Sequence, residues 1–351
     1  MSSVTRVELP LPDDFHVHLR DGDAMASLAN RPTYYKRFLV MPNLSPDPVT
    51  TTEKAMAYKE RISKNLPKDS KLELLMTLYL TNSTTPEEIE KASKSGIIYA
   101  CKLYPAGATT NSSYGVTDFH SLYPVFSKME EVGMHLCIHG EIPDNSLDIF
   151  DREHEFIQTI LLPLLEAFPR LSITMEHITT KEAVDIILNH NNGNLYGSIT
   201  PQHLMYTRND LLVGGIKPHL YCLPILKTKV DREALIRAIQ SGSKYFYLGT
   251  DSAPHAINKK ETKCGCAGCF TSPISMSLYT TIFEEHNCLD NLKAFCCENG
   301  ADCFKVPRNQ GKIVLTKEEW ACPENYIFGD SIVVPLEAGK KLSWKITVEE
   351  N

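Results

Sequence analysis

Short apolar runs return eight times along this chain, at 14–18, 37–42, 71–79, 96–103, 134–139, 171–177, 195–200 and 244–250. Helical patterning fills most of the intervals, at 51–65, 85–95, 118–132, 151–168, 180–190 and 231–241. Some of these segments open with capping chemistry: Thr85-Pro86-Glu87-Glu88 sets a proline in the first turn with acids behind it, and Thr180-Lys181-Glu182 starts in a similar way. Strand–helix alternation of this kind argues for parallel βαβ units. Eight is the number that closes an α/β barrel of the (β/α)8 TIM type, and 351 residues suit one such barrel. An open doubly wound sheet would carry a glycine-rich turn after its first strand, and none follows His18. No Gly-, Ser- or Pro-rich linker divides the chain, so a single domain over 1–351 is expected. The last ~50 residues lose the alternation. Helices are expected there, with a C-terminal extension packed on the barrel after about residue 305.

Composition excludes several classes of function. The net charge is −7, with no basic block and no aromatics interleaved with lysines, so nucleic acid is not an expected partner. No run approaches the ~20 apolar residues of a membrane span. The stretch Met1-Ser2-Ser3-Val4-Thr5-Arg6-Val7-Glu8 lacks the basic-then-apolar order of a secretory signal. The eleven cysteines are odd in number and scattered, with Cys101, Cys137 and Cys222 inside apolar runs. Free thiols in a reducing compartment, and hence a cytoplasmic protein, are expected.

The ends of the predicted strands hold the chemistry. The first ends in His16-Val17-His18, and residues two apart on a strand share a face, so both rings can reach one ion. The fourth ends in Lys102-Leu103-Tyr104-Pro105, the fifth in His139-Gly140-Glu141, the sixth in Glu176-His177, and the eighth in Gly249-Thr250-Asp251-Ser252. In a barrel these ends form the active-site face. Four histidines and an aspartate would ring one pocket, a ligand set suited to Zn²⁺. Each residue alone has a plainer reading, as a hydrogen-bonded strand end or, for Asp251, a turn or helix cap; it is the joint occurrence that points to a site. His135, deeper in its strand, and His120, His154 and His190, in helical segments, are left out of it. Lys102 as an ammonium would repel a metal; converted by CO₂ to a carbamate it becomes a carboxylate able to bridge two ions. Four histidines and a carboxylate exceed what one tetrahedral zinc with an open position uses, whereas a two-metal site uses them all.

Arg20 follows the metal motif and has the geometry for a bidentate grip on a carboxylate. The loop 107–115, rich in Thr, Asn and Ser, reads as a flexible segment able to close over a ligand. Cys264, Cys266 and Cys269 offer three thiolates but no evident fourth zinc ligand, and are read as shaping a tight glycine-rich loop beside the pocket.

At these residues the chain resembles the amidohydrolase superfamily and, within it, the bacterial-type (class II) dihydroorotases. The resemblance runs from about residue 10 to 305. It rests on Asp13 to Asp23, Met41-Pro42-Asn43-Leu44, Lys102 to Pro105, Ala108 to Ser113, His139-Gly140-Glu141, Asp148 to Glu153, Glu176 to Thr180, Thr200 to Met205, Pro218 to Pro224, Gly249 to His255 and Cys264 to Cys269. The His-x-His pair is superfamily-wide; the threonine loop, Pro201-Gln202-His203-Leu204-Met205 and the cysteine run look specific to the dihydroorotases. Phe15, Gly107 and Tyr114 depart from the usual pattern, and Tyr114 lies on the loop.

The resemblance implies zinc-dependent, reversible cyclisation of N-carbamoyl-L-aspartate to L-dihydroorotate, a step of pyrimidine biosynthesis. It implies two Zn²⁺ ions per chain: one on His16 and His18, one on His139 and His177, with carboxylated Lys102 and a hydroxide bridging them. Asp251 would be a ligand of the first zinc and the catalytic acid/base. Arg20, Asn43 and His255 would hold the substrate carboxylate, backbone groups near Leu223 and Ala267 would meet the ring, and Thr109 and Thr110 would ride on the mobile loop. A homodimer is the usual assembly. Two rivals share much of the pattern: another cyclic amidohydrolase, such as a hydantoinase or allantoinase, and a catalytically dead binding subunit, which would typically lack a ligand or the lysine.

Overall fold

The computed structural model of the chain describes residues 4–31, 33–190 and 192–349. The start of the N-terminal stretch read above for a signal, and both extreme ends of the expected 1–351 domain, lie outside the described residues. A first strand, β1 (Arg6–Pro10), stands outside the barrel. Eight parallel strands then follow in sequence order: β2 (Asp13–Val17), β3 (Arg37–Val40), β4 (Glu73–Tyr79), β5 (Ile98–Leu103), β6 (His135–Ile138), β7 (Ile173–Met175), β8 (Leu195–Ile199) and β9 (Phe246–Leu248). This is the (β/α)8 barrel expected from the alternation, and each of the eight apolar runs contributes a strand.

Threonine caps start the helices where the sequence suggested. Thr51, Thr85 and Thr180 accept the N–H of Lys54, Glu88 and Ala183, opening helices Thr52–Asn65, Pro86–Lys94 and Lys181–Asn189. The segment expected as one helix over 151–168 passes through a π-helical turn at Ile157–Leu161, beside Pro163, which has no N–H to give. The outer core packs Val40, Leu78, Leu136 and Ile173 of the strands with Ile62, Ile89, Phe126 and Ile187 of the helices. A second apolar cluster joins Phe15, Leu39, Leu75, Cys137 and Tyr247 to Phe304, whose ring stacks on Phe15 at 4.8 Å. Barrel-strand residues are thus packed against side chains from beyond the last barrel strand.

The circle closes at β2 and β9, not with a regular ladder but with a bracket. Val17 and Ser252 form an isolated parallel bridge, and His18 N–H donates to Ser252 O at 3.1 Å. Asp14, fully buried, accepts from Thr250 N (2.9 Å), Thr250 Oγ1 (2.6 Å) and His16 N (3.2 Å). One carboxylate thereby ties the two chain segments that carry His16 and Asp251.

The expected helical tail ends with Asn299–Cys303, and the extension beyond 305 is built of strands. β10 (Lys312–Thr316) pairs antiparallel with both β1 and β15 (Lys345–Glu349), joining the two ends of the chain. Between them β11 (Trp320–Ala321) pairs with β14 (Lys341–Leu342), and β12 (Tyr326–Phe328) with β13 (Ser331–Val333). Trp344 anchors this layer: it is fully buried, its Nε1 donates to Glu284 Oε2 at 3.1 Å, and its carbonyl accepts Trp320 Nε1 at 2.7 Å.

Two stability predictions follow from these anchors. Asp14→Ala leaves three buried donors without their acceptor and lowers the urea unfolding free energy by about 3 kcal/mol. Trp344→Ala costs about 3–5 kcal/mol in the same measurement. Unfolding midpoints equal to wild type would show that neither anchor holds its layer.

Candidate active site

His16 and His18 bring their Nε2 atoms to 3.3 Å of each other, so the shared face expected of a His-x-His strand is realised. Asp251, three residues past β9, sets Oδ1 at 3.3 Å from His16 Nε2 and 3.1 Å from His18 Nε2. His18 Nδ1–H donates to Asn43 Oδ1 at 2.8 Å, which leaves Nε2 with the lone pair. These three side chains form one group able to hold a metal ion. Arg20, His177 and Asp251 all have left-handed backbone, with φ of 61°, 43° and 47°. That conformation costs a non-glycine residue on the order of 1 kcal/mol or more, so the fold imposes it.

The turn carrying His177 is held from two sides. Ser198 Oγ accepts the His177 N–H at 2.9 Å, and buried Glu153 accepts the N–H and hydroxyl of both Thr179 and Thr180 at 2.6 to 3.1 Å. The His177 ring centroid lies 5.1 Å from that of His16 and 4.8 Å from that of His139. His139 Nε2 meets Glu141 Oε2 at 2.7 Å, leaving Nδ1 as its candidate ligand atom. Lys102 is completely buried on β5 and its Nζ donates to Glu176 Oε2. Glu176 Oε1 lies 3.0 Å from His16 Nδ1, but misaligned for a hydrogen bond. His16, Glu176 and His177 are the second group able to hold an ion; among the described residues neither group contains a cysteine.

The floor of the pocket favours positive charge. Burial would keep the His16 ring neutral, yet the carboxylates of Glu176 and Asp251 push its pKa up to about 9. His18, equally buried, is instead pushed down to about 4. Burial opposes ionisation of Asp251 and Glu176, but the neighbouring histidines hold the Asp251 carboxyl well below the usual range, and His16 and Lys102 bring Glu176 to about 2. Buried atoms left without a hydrogen-bond partner include His16 Nδ1, His177 Nδ1, Glu176 Oε1 and Glu141 Oε1. The ligand atoms of His16, Glu176 and His177, buried and within 4.8 Å of one another, fit a bound metal cation.

The opposite wall is built for an anion. Arg20 Nε donates to Pro254 O at 3.0 Å and Nη2 to His255 Nε2 at 3.1 Å; burial and the Arg20 charge keep the His255 ring neutral. Asn43 Nδ2 donates to Thr110 O at 3.1 Å, Asn111 Nδ2 to Asn43 O at 3.1 Å, and Thr110 Oγ1 to Ala267 O at 3.4 Å, so the 107–115 loop is docked over the site. His16, His18, Arg20, Asn43, Thr109, Thr110, His139, His177, Leu223, Asp251 and Ala267 all line one pocket. Of the residues to which the resemblance gives a role in the site, Lys102, fully buried, and His255, beside Arg20, are the two that do not line it. The sequence reading passed over Glu176 and Glu141. Their signal was available: each is an acid within two residues of a strand-end histidine.

Comparison with known proteins agrees with this geometry. Residues 14–317 match the amidohydrolase family. The chain is 50% identical over 344 residues to the dihydroorotase of Vibrio cholerae, covering 98% of this chain and 100% of the relative. It is also 50% identical over 344 residues to a mitochondrial dihydroorotase of Arabidopsis thaliana, covering 97% and 91%. The crystal structure of a Saccharomyces cerevisiae dihydroorotase in complex with 5-fluoroorotic acid superposes with a TM-score of 0.90 at 33% identity, over 99% of this chain and 100% of that one. An L-hydantoinase from Arthrobacter aurescens, at 17% identity and a TM-score of 0.79 over 97% of this chain and 82% of that one, shares the fold. The chain belongs to the dihydroorotases of the amidohydrolase family.

Proposed function

We propose that this dihydroorotase interconverts N-carbamoyl-L-aspartate and L-dihydroorotate with two zinc ions, one on His16, His18 and Asp251, the other on His139 and His177, joined by carboxylated Lys102. The observation that carries the reading is the convergence of His16, His18 and Asp251 in the pocket that Arg20 and Asn43 also line. Conversion of buried Lys102 to a carbamate replaces a cation by a bridging anion, with two unsatisfied histidine nitrogens already near. When bound, the ions supply an activated water nucleophile at neutral pH and a Lewis acid for the ring amide carbonyl.

The protein's own groups do the rest. Arg20, Asn43 and His255 bind the substrate carboxylate and so fix the ring relative to the pocket floor. Backbone groups of Leu223 and Ala267 take the ring edge. In the hydrolytic direction the Asp251 carboxylate accepts the proton of the attacking water and delivers it to the departing ring nitrogen; in the cyclising direction it removes a proton from the ureido nitrogen. Thr109 and Thr110 close over the ligand and exclude water. The whole chain then acts as one catalytic unit, a cytoplasmic homodimer; its eleven free cysteines accord with a reducing compartment, and no described helix is long and apolar enough to cross a membrane.

Assay of L-dihydroorotate beside hydantoin and allantoin tests the substrate: the first is turned over, and activity on only the other two would overturn the reading. Lys102→Ala loses more than about a hundredfold in kcat and about half its metal, with partial recovery on adding short carboxylic acids. Wild-type turnover in that variant would remove the bridging role. Asp251→Asn retains part of its metal and loses about 10²–10⁴-fold in kcat; normal turnover would show that the proton moves elsewhere.

A further inference from the structure

Lys260 takes no part in the chemistry just described, yet it is one of the most deeply buried cations in the protein, at 3% exposure. Its partners are three carbonyl oxygens: Nζ donates to Tyr221 O at 2.8 Å, Cys266 O at 2.9 Å and Gly268 O at 2.7 Å. Three donated bonds use all three N–H groups of an ammonium. Cys222, Cys266 and Cys269 lie close enough to act on it electrostatically. The cation at the centre of the cysteine loop is therefore a lysine. Burying a charge is costly without full hydrogen bonding, and this one is spent joining two loops that come from different parts of the chain.

Those loops carry Leu223 and Ala267. Tyr221 lies two residues before Leu223, and Cys266 and Gly268 flank Ala267 on either side. A trans peptide points its C=O and N–H in opposite directions, and the peptides on both sides of Ala267 are trans. Drawing the Cys266 carbonyl onto Lys260 turns the Ala267 N–H away from the lysine. Gly268 N–H donates to Tyr221 O at 2.9 Å, the same oxygen that Lys260 binds, and this turns the Ala267 carbonyl the same way. That carbonyl accordingly receives Thr110 Oγ1 of the docked loop. Ala267 thus turns an adjacent donor and acceptor to the pocket it lines, the acceptor shared with Thr110 Oγ1, the complement of the C=O and N–H on the edge of a cyclic ureide. The clamp admits little change: a Cβ on Gly268 (φ 145°) would stand 2.4 Å from Ala253 O, and one on Gly265 2.5 Å from the Lys260 carbonyl.

We propose that Lys260 is the positioning residue for ring recognition, setting the peptide planes at Ala267 and Tyr221 so that the backbone reads a cyclic ureide. This rests on the reading of Leu223 and Ala267 as the ring contacts. The test uses Lys260→Met in the full chain, titrated with orotate, which has both ring and carboxylate, and with succinate, which has carboxylates and no ring. Misaligning one or two hydrogen bonds weakens orotate roughly tenfold, while the succinate inhibition constant moves less than about twofold, because Arg20 is untouched. KM for L-dihydroorotate rises with kcat and metal content nearly unchanged. Lys260→Gln, which keeps a donor, falls between the two.

Equal weakening of both ligands, or unchanged orotate binding, overturns the positioning role, as does failure of both variants to give soluble protein. If wild type neither binds orotate nor turns over L-dihydroorotate, the substrate reading itself has failed and the clamp falls with it.

Discussion

The bracket that Asp14 makes across the junction of β2 and β9 is the interaction on which the site depends. A parallel barrel must close its first strand on its last, and here the closing register is set by a buried carboxylate accepting two backbone N–H groups and a hydroxyl. His16 follows Asp14 by two residues and Asp251 follows Thr250 by one. The bonds that close the cylinder therefore also fix the separation of the atoms able to hold a metal. The left-handed backbone at Asp251, unfavourable in isolation, persists because Thr250 is held in the bracket and Ser252 is bridged to Val17.

Charge on the pocket floor is balanced within one buried network. Lys102, Glu176, His16 and Asp251 are all buried, and each carboxylate faces at least one cationic or protonatable neighbour. A change at any member alters the others. Removing the positive charge of Lys102 leaves Glu176 facing His16, and Asp251 facing His16 and His18, with no permanent cation in contact with either, so the proposed conversion of that lysine to an anion would require cationic charge to enter from outside the chain. On the proposed reading, carboxylation and metal loading are one event rather than two, and the unsatisfied His16 and His177 nitrogens mark where the compensating charge would be accepted.

Most of the architecture was legible in the sequence because the barrel repeats one unit eight times, and each unit carries the same signals: a buried run, a polar end, a capped helix. The cluster able to hold a metal was legible because imidazole and carboxylate at strand ends are rare and chemically particular. Three features were not. Beyond residue 305 the strands are two to five residues long, too short to show a period, and the first of them, β10, pairs with β1 some 300 residues away. Glu176 and Glu141 were overshadowed by the histidines next to them, since an acid beside a ligand looks like an ordinary strand-end residue until its burial is known. Lys260 sits in an apparently hydrophilic stretch, Asn258-Lys259-Lys260-Glu261, where composition suggests solvent; only the tertiary fold turns one of two adjacent lysines inward.

On the proposed reading the pocket divides its work between two kinds of group. Ions and carboxylate would be met by side chains, which a single substitution can remove. The ring edge would be met by peptide groups, which no substitution short of proline can delete. Selectivity among cyclic amides that share this barrel would then reside in where the loops place those peptides rather than in the residues that line them. A buried ammonium holding three carbonyls is well suited to the task, because it fixes backbone direction without occupying the pocket and without offering a side chain that could compete for the substrate carboxylate.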